Sequence, residues 1–272
     1  MLEQSGIGKR VSVPLRVEYD ASRGGRWTSL SGGGREWLWH RADPARDGVR
    51  PDDPFVDVGG VEECLPAVRG FPDHGAVWSR PWRGLSPGEI TVRTEDFELS
   101  RRLTERNGVV VADYRLTALP GYRFIWAAHA LLELSPQARL EAPAGTRTRV
   151  YPDPEPPVEG PWPAPTGTAL DRLGPDDGSA VGAVLLDCPR VTVVDGDDRL
   201  TWTLECADQP RSLALWRNLG GWPAAQPYRS IGVEPMLGSG FGLDEAGPTA
   251  VLPSGGELRW RLTISATRTE ST

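Results

Sequence analysis

The chain is expected to be all-β, a large sandwich of packed antiparallel sheets. Three observations carry this expectation. Apolar and polar residues alternate in Leu258-Arg259-Trp260-Arg261-Leu262-Thr263-Ile264-Ser265 and again in Leu200-Thr201-Trp202-Thr203-Leu204-Glu205-Cys206. A period of two leaves one strand face in a core and the other toward solvent. Helical periodicity is scarce, and 32 Gly and 26 Pro punctuate the chain at short intervals. Many strands with no helices between them pack as sheets on sheets.

In chain order, strands are expected at 11–19, 34–40, 89–94, 96–103, 108–117, 123–134, 145–150, 181–187, 190–195, 200–206, 211–217, 228–236 and 258–265. Turn residues separate them, as at Asn107-Gly108 and Gly196-Asp197-Asp198. The Pro-rich stretch Tyr151 to Pro165 reads as a surface loop, because the strand pattern before and after it is similar. Residues 1–272 are therefore expected to form a single domain. Glu62-Glu63-Cys64 reads as an acidic turn packing near an Arg, with metal ligation as the alternative.

Composition narrows the function. A hydrophobic fraction of 39% and 11 Trp suffice for a core. The net charge of -7 argues against nucleic acid or an anionic membrane as partner. No apolar run approaches the ~18 residues that span a bilayer. Met1 to Pro14 lacks the apolar stretch of a secretory signal. Cys64, Cys188 and Cys206 lack zinc spacing and read as reduced, buried thiols of a cytoplasmic protein. Ser31-Gly32-Gly33-Gly34 and Ser254-Gly255-Gly256 do not continue as phosphate loops. No metal and no cofactor is expected.

The chain has only three His. His129 lies in Trp126-Ala127-Ala128-His129-Ala130-Leu131-Leu132, where small neighbours leave room for a ligand; a core histidine bonded to backbone fits equally. His74 lies in the loop Asp73-His74-Gly75, followed by Trp78-Ser79-Arg80-Pro81-Trp82. Indole beside polar donors suits a sugar, and loops carry function; the alternative is a tight turn capped by an Asp–His pair. Glu234 sits in the apolar run Ile231-Gly232-Val233-Glu234-Pro235, where a carboxylate must be paired, hydrogen-bonded or functional. A buried pair with Arg229 or Arg217 would also satisfy it. His40 reads as a surface residue at a strand end. Two imidazoles and a carboxylate are a workable set for metal-free acid–base chemistry near neutral pH.

Several segments together resemble the aldose 1-epimerase, or galactose mutarotase-like, family. Gly25-Arg26-Trp27-Thr28-Ser29-Leu30 and Gly34-Arg35-Glu36-Trp37-Leu38-Trp39 look like its opening hairpin. Gly59-Gly60-Val61-Glu62-Glu63-Cys64-Leu65-Pro66 with Asp73-His74-Gly75 looks like the loop of its first active-site His. Trp126 to Leu132 looks like the strand of its second, and Ile231-Gly232-Val233-Glu234-Pro235 like the strand of its Glu. Val251-Leu252-Pro253-Ser254-Gly255-Gly256-Glu257 and Trp260 resemble its closing strands. The resemblance spans nearly the whole chain and keeps the motif order.

It implies a galactose mutarotase-like supersandwich and cofactor-independent exchange of the anomers of a free or phosphorylated aldose. His129 would be the general acid at the ring oxygen, Glu234 the general base at the anomeric hydroxyl, and His74 a substrate hydrogen-bonding group. Arg69 or Arg80 would match the sugar-binding Arg, with Trp78 beside them. Asp187 is the candidate for the Asp that binds sugar hydroxyls in galactose-type members. All three acid–base residues should converge on a concave surface lined by Trp, with His129 and Glu234 roughly 4–8 Å apart across the sugar edge. The alternatives are a non-catalytic carbohydrate-binding or sensing protein that kept the cleft, and a different sugar isomerase using the same triad. The sequence names neither the sugar nor the oligomeric state.

Overall fold

A computed structural model describes residues 9–152 and 155–270. Two large antiparallel sheets account for most of it. The first runs in the order Arg139–Glu141, Arg190–Asp195, Asp198–Glu205, Glu257–Glu270, Val109–Ala118, Phe97–Arg106, Glu89–Arg93 and Arg83–Ser86, with Lys9–Val13 paired to Glu257–Glu270. The second runs Val158–Pro161, Arg147–Tyr151, Ala180–Leu185, Arg211–Trp222, Tyr228–Leu237, Trp126–Leu132, Gly60–Cys64, Arg26–Gly32 and Arg16–Asp20, with Arg35–Glu36 at the far side. Among the described residues the one helical element is a 3-10 turn, Pro44–Gly48.

The alternation does what it promised. Leu258, Trp260, Leu262 and Ile264 turn inward, and Trp260, Leu262 and Ile264 join a core cluster with Leu99, Leu116 and Trp202 of their own sheet and Trp27, Val61, Ala130 and Val233 of the other. Asn107 and Gly108 take φ of 52° and 80°. Both central residues are thus left-handed, the backbone of a tight hairpin between Phe97–Arg106 and Val109–Ala118.

Several expected boundaries move. The run 11–19 is two strands in two sheets. Pro14 has no N–H for a ladder, and Leu15 N–H turns to Gly108 O at 3.0 Å as the chain crosses over. Of 34–40, only Arg35–Glu36 is ladder; Leu38 and His40 make single bridges to Leu132 and Gly59, and His40 is an exposed strand end. The stretch 151–165 contains a strand, Val158–Pro161, paired to Arg147–Tyr151.

Glu62-Glu63 is not a turn. It is the middle of the strand Gly60–Cys64, in which every residue is buried. The acidic pair does pack against Arg, on both faces. Glu63 enters the core and meets Arg101 Nη1 at 2.7 Å; Glu62 leaves the other face and meets Arg46 Nη2 at 2.7 Å. Two adjacent charges hide a strand from an alternation test, because the test presumes one face is dry.

Candidate active site

The outer face of the second sheet carries a row of side chains on three neighbouring strands. His129 pairs in register with Glu62 on one side. On the other side it lies between the pairs Ala127↔Met236 and Leu131↔Gly232, which sets it opposite Glu234. Directly opposed residues stand ~4.5–5.5 Å apart at Cβ, so register alone brings the imidazole to the carboxylate. His129 Nδ1 lies 3.0 Å from Glu234 Oε1, and both residues are buried. Nδ1 finds no well-aligned acceptor among the described residues, so the contact is ionic and not a linear hydrogen bond.

Gly232 makes room for this arrangement. It lies two residues before Glu234 on the same face, and a Cβ there would stand 2.2 Å from Glu234 Oε1 and 2.9 Å from Trp216 Cβ. Burial alone lowers the affinity of the His129 ring for a proton. Glu234, and behind it Asp57 and Glu62, overcome that and raise the imidazole to about 9. The ring is therefore an imidazolium at neutral pH. Burial likewise pushes the Glu62 carboxyl up to about 7, against the pull of Arg46 and Arg26.

His74 arrives from the loop after Gly60–Cys64. Leu65 bridges to Gly75, His74 N–H donates to Val68 O at 3.0 Å, and Ala76 N–H to Leu65 O at 2.7 Å. A Cβ on Gly75 would stand 2.2 Å from Leu65 O, so the turn is closed to any larger residue. His74 itself holds a left-handed φ of 57°, uncommon outside glycine. Its Nδ1 stands 2.9 Å from Asp73 Oδ1, its ring stacks on Phe55 at 3.9 Å, and it meets the His129 ring edge-on at 5.1 Å. Burial pushes its imidazole down, and the charge on His129 adds to that against Asp73. The turn-capping Asp–His pair and a place beside His129 are thus both present. The two imidazoles differ, one charged and one tending to neutral.

These groups line a cleft of about 630 Å³. One wall is the segment from Arg41 to Asp57. Asp43 caps its 3-10 turn by accepting from Ala45 N–H, and Arg46 bolts it to the sheet through Glu62. Adjoining it is the Trp222–Tyr228 end of a hairpin, where Tyr228 donates to Asp57.

His74, His129 and Glu234 converge as expected, and Arg69 joins them on the cleft wall, over the rings of Tyr151 and Phe241. Other expectations are corrected. Arg80 is turned away, donating to Ala76 O and facing Asp52. Trp78 is buried behind Phe55, its Nε1 held by Asp73 O. Asp187 occupies an exposed turn at φ 52°, after Ala180–Leu185, and does not line the cleft. Glu234 pairs with neither proposed Arg: Arg229 binds Asp176 and Arg217 binds Leu173 O. The His129–Glu234 separation of 3.0 Å is shorter than the roughly 4–8 Å expected, because the strand register sets the two side chains directly opposite one another.

Phe55, Asp57, Trp216 and Trp222 belong to the cleft and were not singled out by the sequence reading. Trp216 was within reach of it. It pairs with Gly232 and so shares a face with Glu234. Phe55 and Asp57 come from a stretch without periodicity, where no face can be assigned. Among the described residues no three His, Cys, Asp or Glu side chains gather as a cation site, and no helix is long and apolar enough to cross a membrane.

No protein-family model matches the chain, and no curated protein matches its sequence. Solved structures do match its shape. A protein of Synechocystis sp. PCC 6803 superposes with a TM-score of 0.70 at 16% identity, over 99% of this chain and 100% of that one. A putative aldose 1-epimerase of Escherichia coli K12 gives 0.68 at 13%, over 95% and 99%. A galactose mutarotase related enzyme of Lactobacillus acidophilus gives 0.65 at 14%, over 97% and 99%. At these identities the likeness is one of fold, and the chain has the galactose mutarotase-like fold.

Proposed function

We propose that the protein is an aldose 1-epimerase-like isomerase that exchanges the anomers of a free or phosphorylated aldose. The observation that carries this reading is the contact of a charged His129 with Glu234 on the cleft floor. A hemiacetal presents two oxygens on one carbon, the ring oxygen and the anomeric hydroxyl. An acid and a base on neighbouring strands of one cleft floor can serve one each.

In the forward half-reaction Glu234 takes the proton from the anomeric hydroxyl. The electron pair forms the carbonyl as the bond from C1 to the ring oxygen breaks, and His129 delivers its proton to that oxygen. After rotation about C1–C2 the same steps run in reverse on the other carbonyl face. The ring hydroxyl then returns its proton to His129 and Glu234 gives its proton to the new anomeric oxygen, so neither residue is consumed. His74, oriented by Asp73, is suited to hydrogen-bonding the substrate beside C1. Arg69 is suited to a hydroxyl or a phosphate. Positioned acid–base groups supply ~10²–10⁴-fold, adequate for a reaction that already proceeds slowly in water.

The test is anomer exchange followed by NMR or polarimetry across free and phosphorylated aldoses. Glu234→Gln keeps shape but cannot take a proton. It is expected to lower the rate by at least ~10²-fold with sugar binding little changed. A Glu234→Gln protein with the wild-type rate removes Glu234 as the base. A wild type that binds sugars and accelerates none is a carbohydrate-binding protein instead.

A further inference from the structure

The cleft is larger than one sugar needs. Clefts of ~300–1,000 Å³ take drug-sized ligands, and this one, at about 630 Å³, runs well past His129 and Glu234. From Glu234 to Tyr228 the strand advances six residues, about 20 Å at ~3.3 Å per residue. A single pyranose seated on the acid–base pair leaves that far end empty.

The far end is built. Trp222 ends the strand Arg211–Trp222, lines the cleft and is 55% exposed. The backbone that carries this indole is fixed in place. Asn218, fully buried, accepts from the N–H groups of Gly221 and Trp222 at 3.0 Å each and donates to Trp222 O at 2.9 Å. It thereby holds the bulge between Leu219 and Trp222 that re-aims the indole. Tyr228 across the ladder is no second platform. Its ring is held between Trp39 at 5.2 Å and the Arg41 guanidinium at 4.5 Å, and its hydroxyl donates to Asp57 at 2.7 Å. Trp222 is the most exposed aromatic of the lining, which also includes the exposed Gln226 four residues on. An apolar ring face next to a polar donor is the chemistry that recognises a pyranose.

We infer that Trp222 forms a subsite for the sugar units beyond the reducing end, and that the preferred ligand is a reducing oligosaccharide and not a monosaccharide. Which end reacts follows from the proposed isomerase reading; the Trp222 subsite stands on the rim geometry.

The experiment compares glucose with maltose, cellobiose, lactose and maltotriose as substrates in NMR anomer exchange, for wild type, Trp222→Ala and Trp222→Phe. At least one oligosaccharide is expected to show a lower KM than glucose. Trp222→Ala should erase that advantage, on the order of tenfold, as truncation of an aromatic anchor does, with a smaller change in the KM for glucose. Trp222→Phe should restore part of it. Equal KM for all chain lengths overturns the inference. So does a Trp222→Ala loss that is equal for glucose, or one accompanied by a changed oligomeric state. If no sugar is anomerised, the isomerase reading fails separately. Titration calorimetry with the same oligosaccharides reduced to alditols then reads the subsite alone: binding lost in Trp222→Ala supports it, and no binding by wild type overturns it.

Discussion

Glu62 and Glu63 are neighbours on one strand, and their side chains leave it on opposite faces into regions that treat charge differently. On the core side Glu63 Oε1 accepts from Arg101 at 2.7 Å and Tyr114 at 2.9 Å, while Oε2 accepts from Trp126 Nε1 at 2.8 Å. Both oxygens are satisfied, and Arg101 also donates to Gly25 O at 2.6 Å. On the cleft side Glu62 is equally buried and paired with Arg46, yet neither of its oxygens has a well-aligned hydrogen bond, nor has His129 Nδ1. A polar knot whose carboxylate is fully satisfied fixes one arrangement of two sheets, although Arg101 Nε within it has no partner. The other leaves hydrogen-bonding capacity buried beside the cleft, with His129 and not Glu62 on its lining.

The largest effect should fall on the core side, in stability. Arg101→Met leaves Glu63 buried without its charge partner and should cost ~3–5 kcal/mol, read by urea unfolding. Arg101→Met with Glu63→Leu should recover much of that. A neutral single variant would mean the knot is not the structural half of the pair.

Gly232→Ala comes next and separates the two sides. Its methyl would fall 2.2 Å from Glu234 Oε1, so the carboxylate must move off His129. Displacements near 1 Å cost about 10²-fold in rate, while overpacking costs ~1–3 kcal/mol. Activity should therefore fall far more steeply than the unfolding midpoint. A Gly232→Ala variant with the full rate would show that the His129–Glu234 contact is not needed.

Glu62→Gln is the smallest and the sharpest. It removes a negative charge beside His129, so the alkaline limb of the rate profile should shift to lower pH, with little loss at pH 6. An unmoved limb would reduce Glu62 to an anchor for Arg46. The pH dependence of stability has the same origin. His129 is raised from 6.5 to about 9 and Glu62 from 4.5 to about 7. The folded chain thus binds protons that the unfolded chain releases. The His129 contribution is complete below pH 6.5 and is lost as pH rises through about 9; ionising Glu62 costs stability as pH rises from 4.5 through 7. Both signs make the wild type less stable in alkali, and Glu62→Gln should flatten the neutral part of that slope in a pH series of unfolding midpoints.

The sequence made one of these regions legible and hid the other. Strands such as Asp198–Glu205 and Glu257–Glu270 declare themselves, because one face is wet and the other dry. His129 and Glu234 stood out for the same reason, as polar groups in apolar runs. Gly60–Cys64 did not, because both of its faces are buried and both carry charge. Asp187 and Arg80 were misplaced because a residue's rank along the chain says nothing about loop direction. Arg80 bends back to Ala76 O, four residues away. The wall from Arg41 to Asp57 is held by Arg46 across to Glu62, a contact no local pattern announces.

One feature of the first sheet bears on how such a chain is made. Glu257–Glu270, late in the sequence, lies inside that sheet and pairs with Asp198–Glu205, Val109–Ala118 and Lys9–Val13. On the ribosome Asp198–Glu205, Val109–Ala118 and Lys9–Val13 must each wait for it, with those edges open and the hydrophobic layer unsealed. Pairings of such long sequence separation fold slowly, and unpaired edges invite other chains. A stop codon before Glu257 would leave two half-sheets with no strand to join them. It should yield aggregate and not a slightly shortened protein.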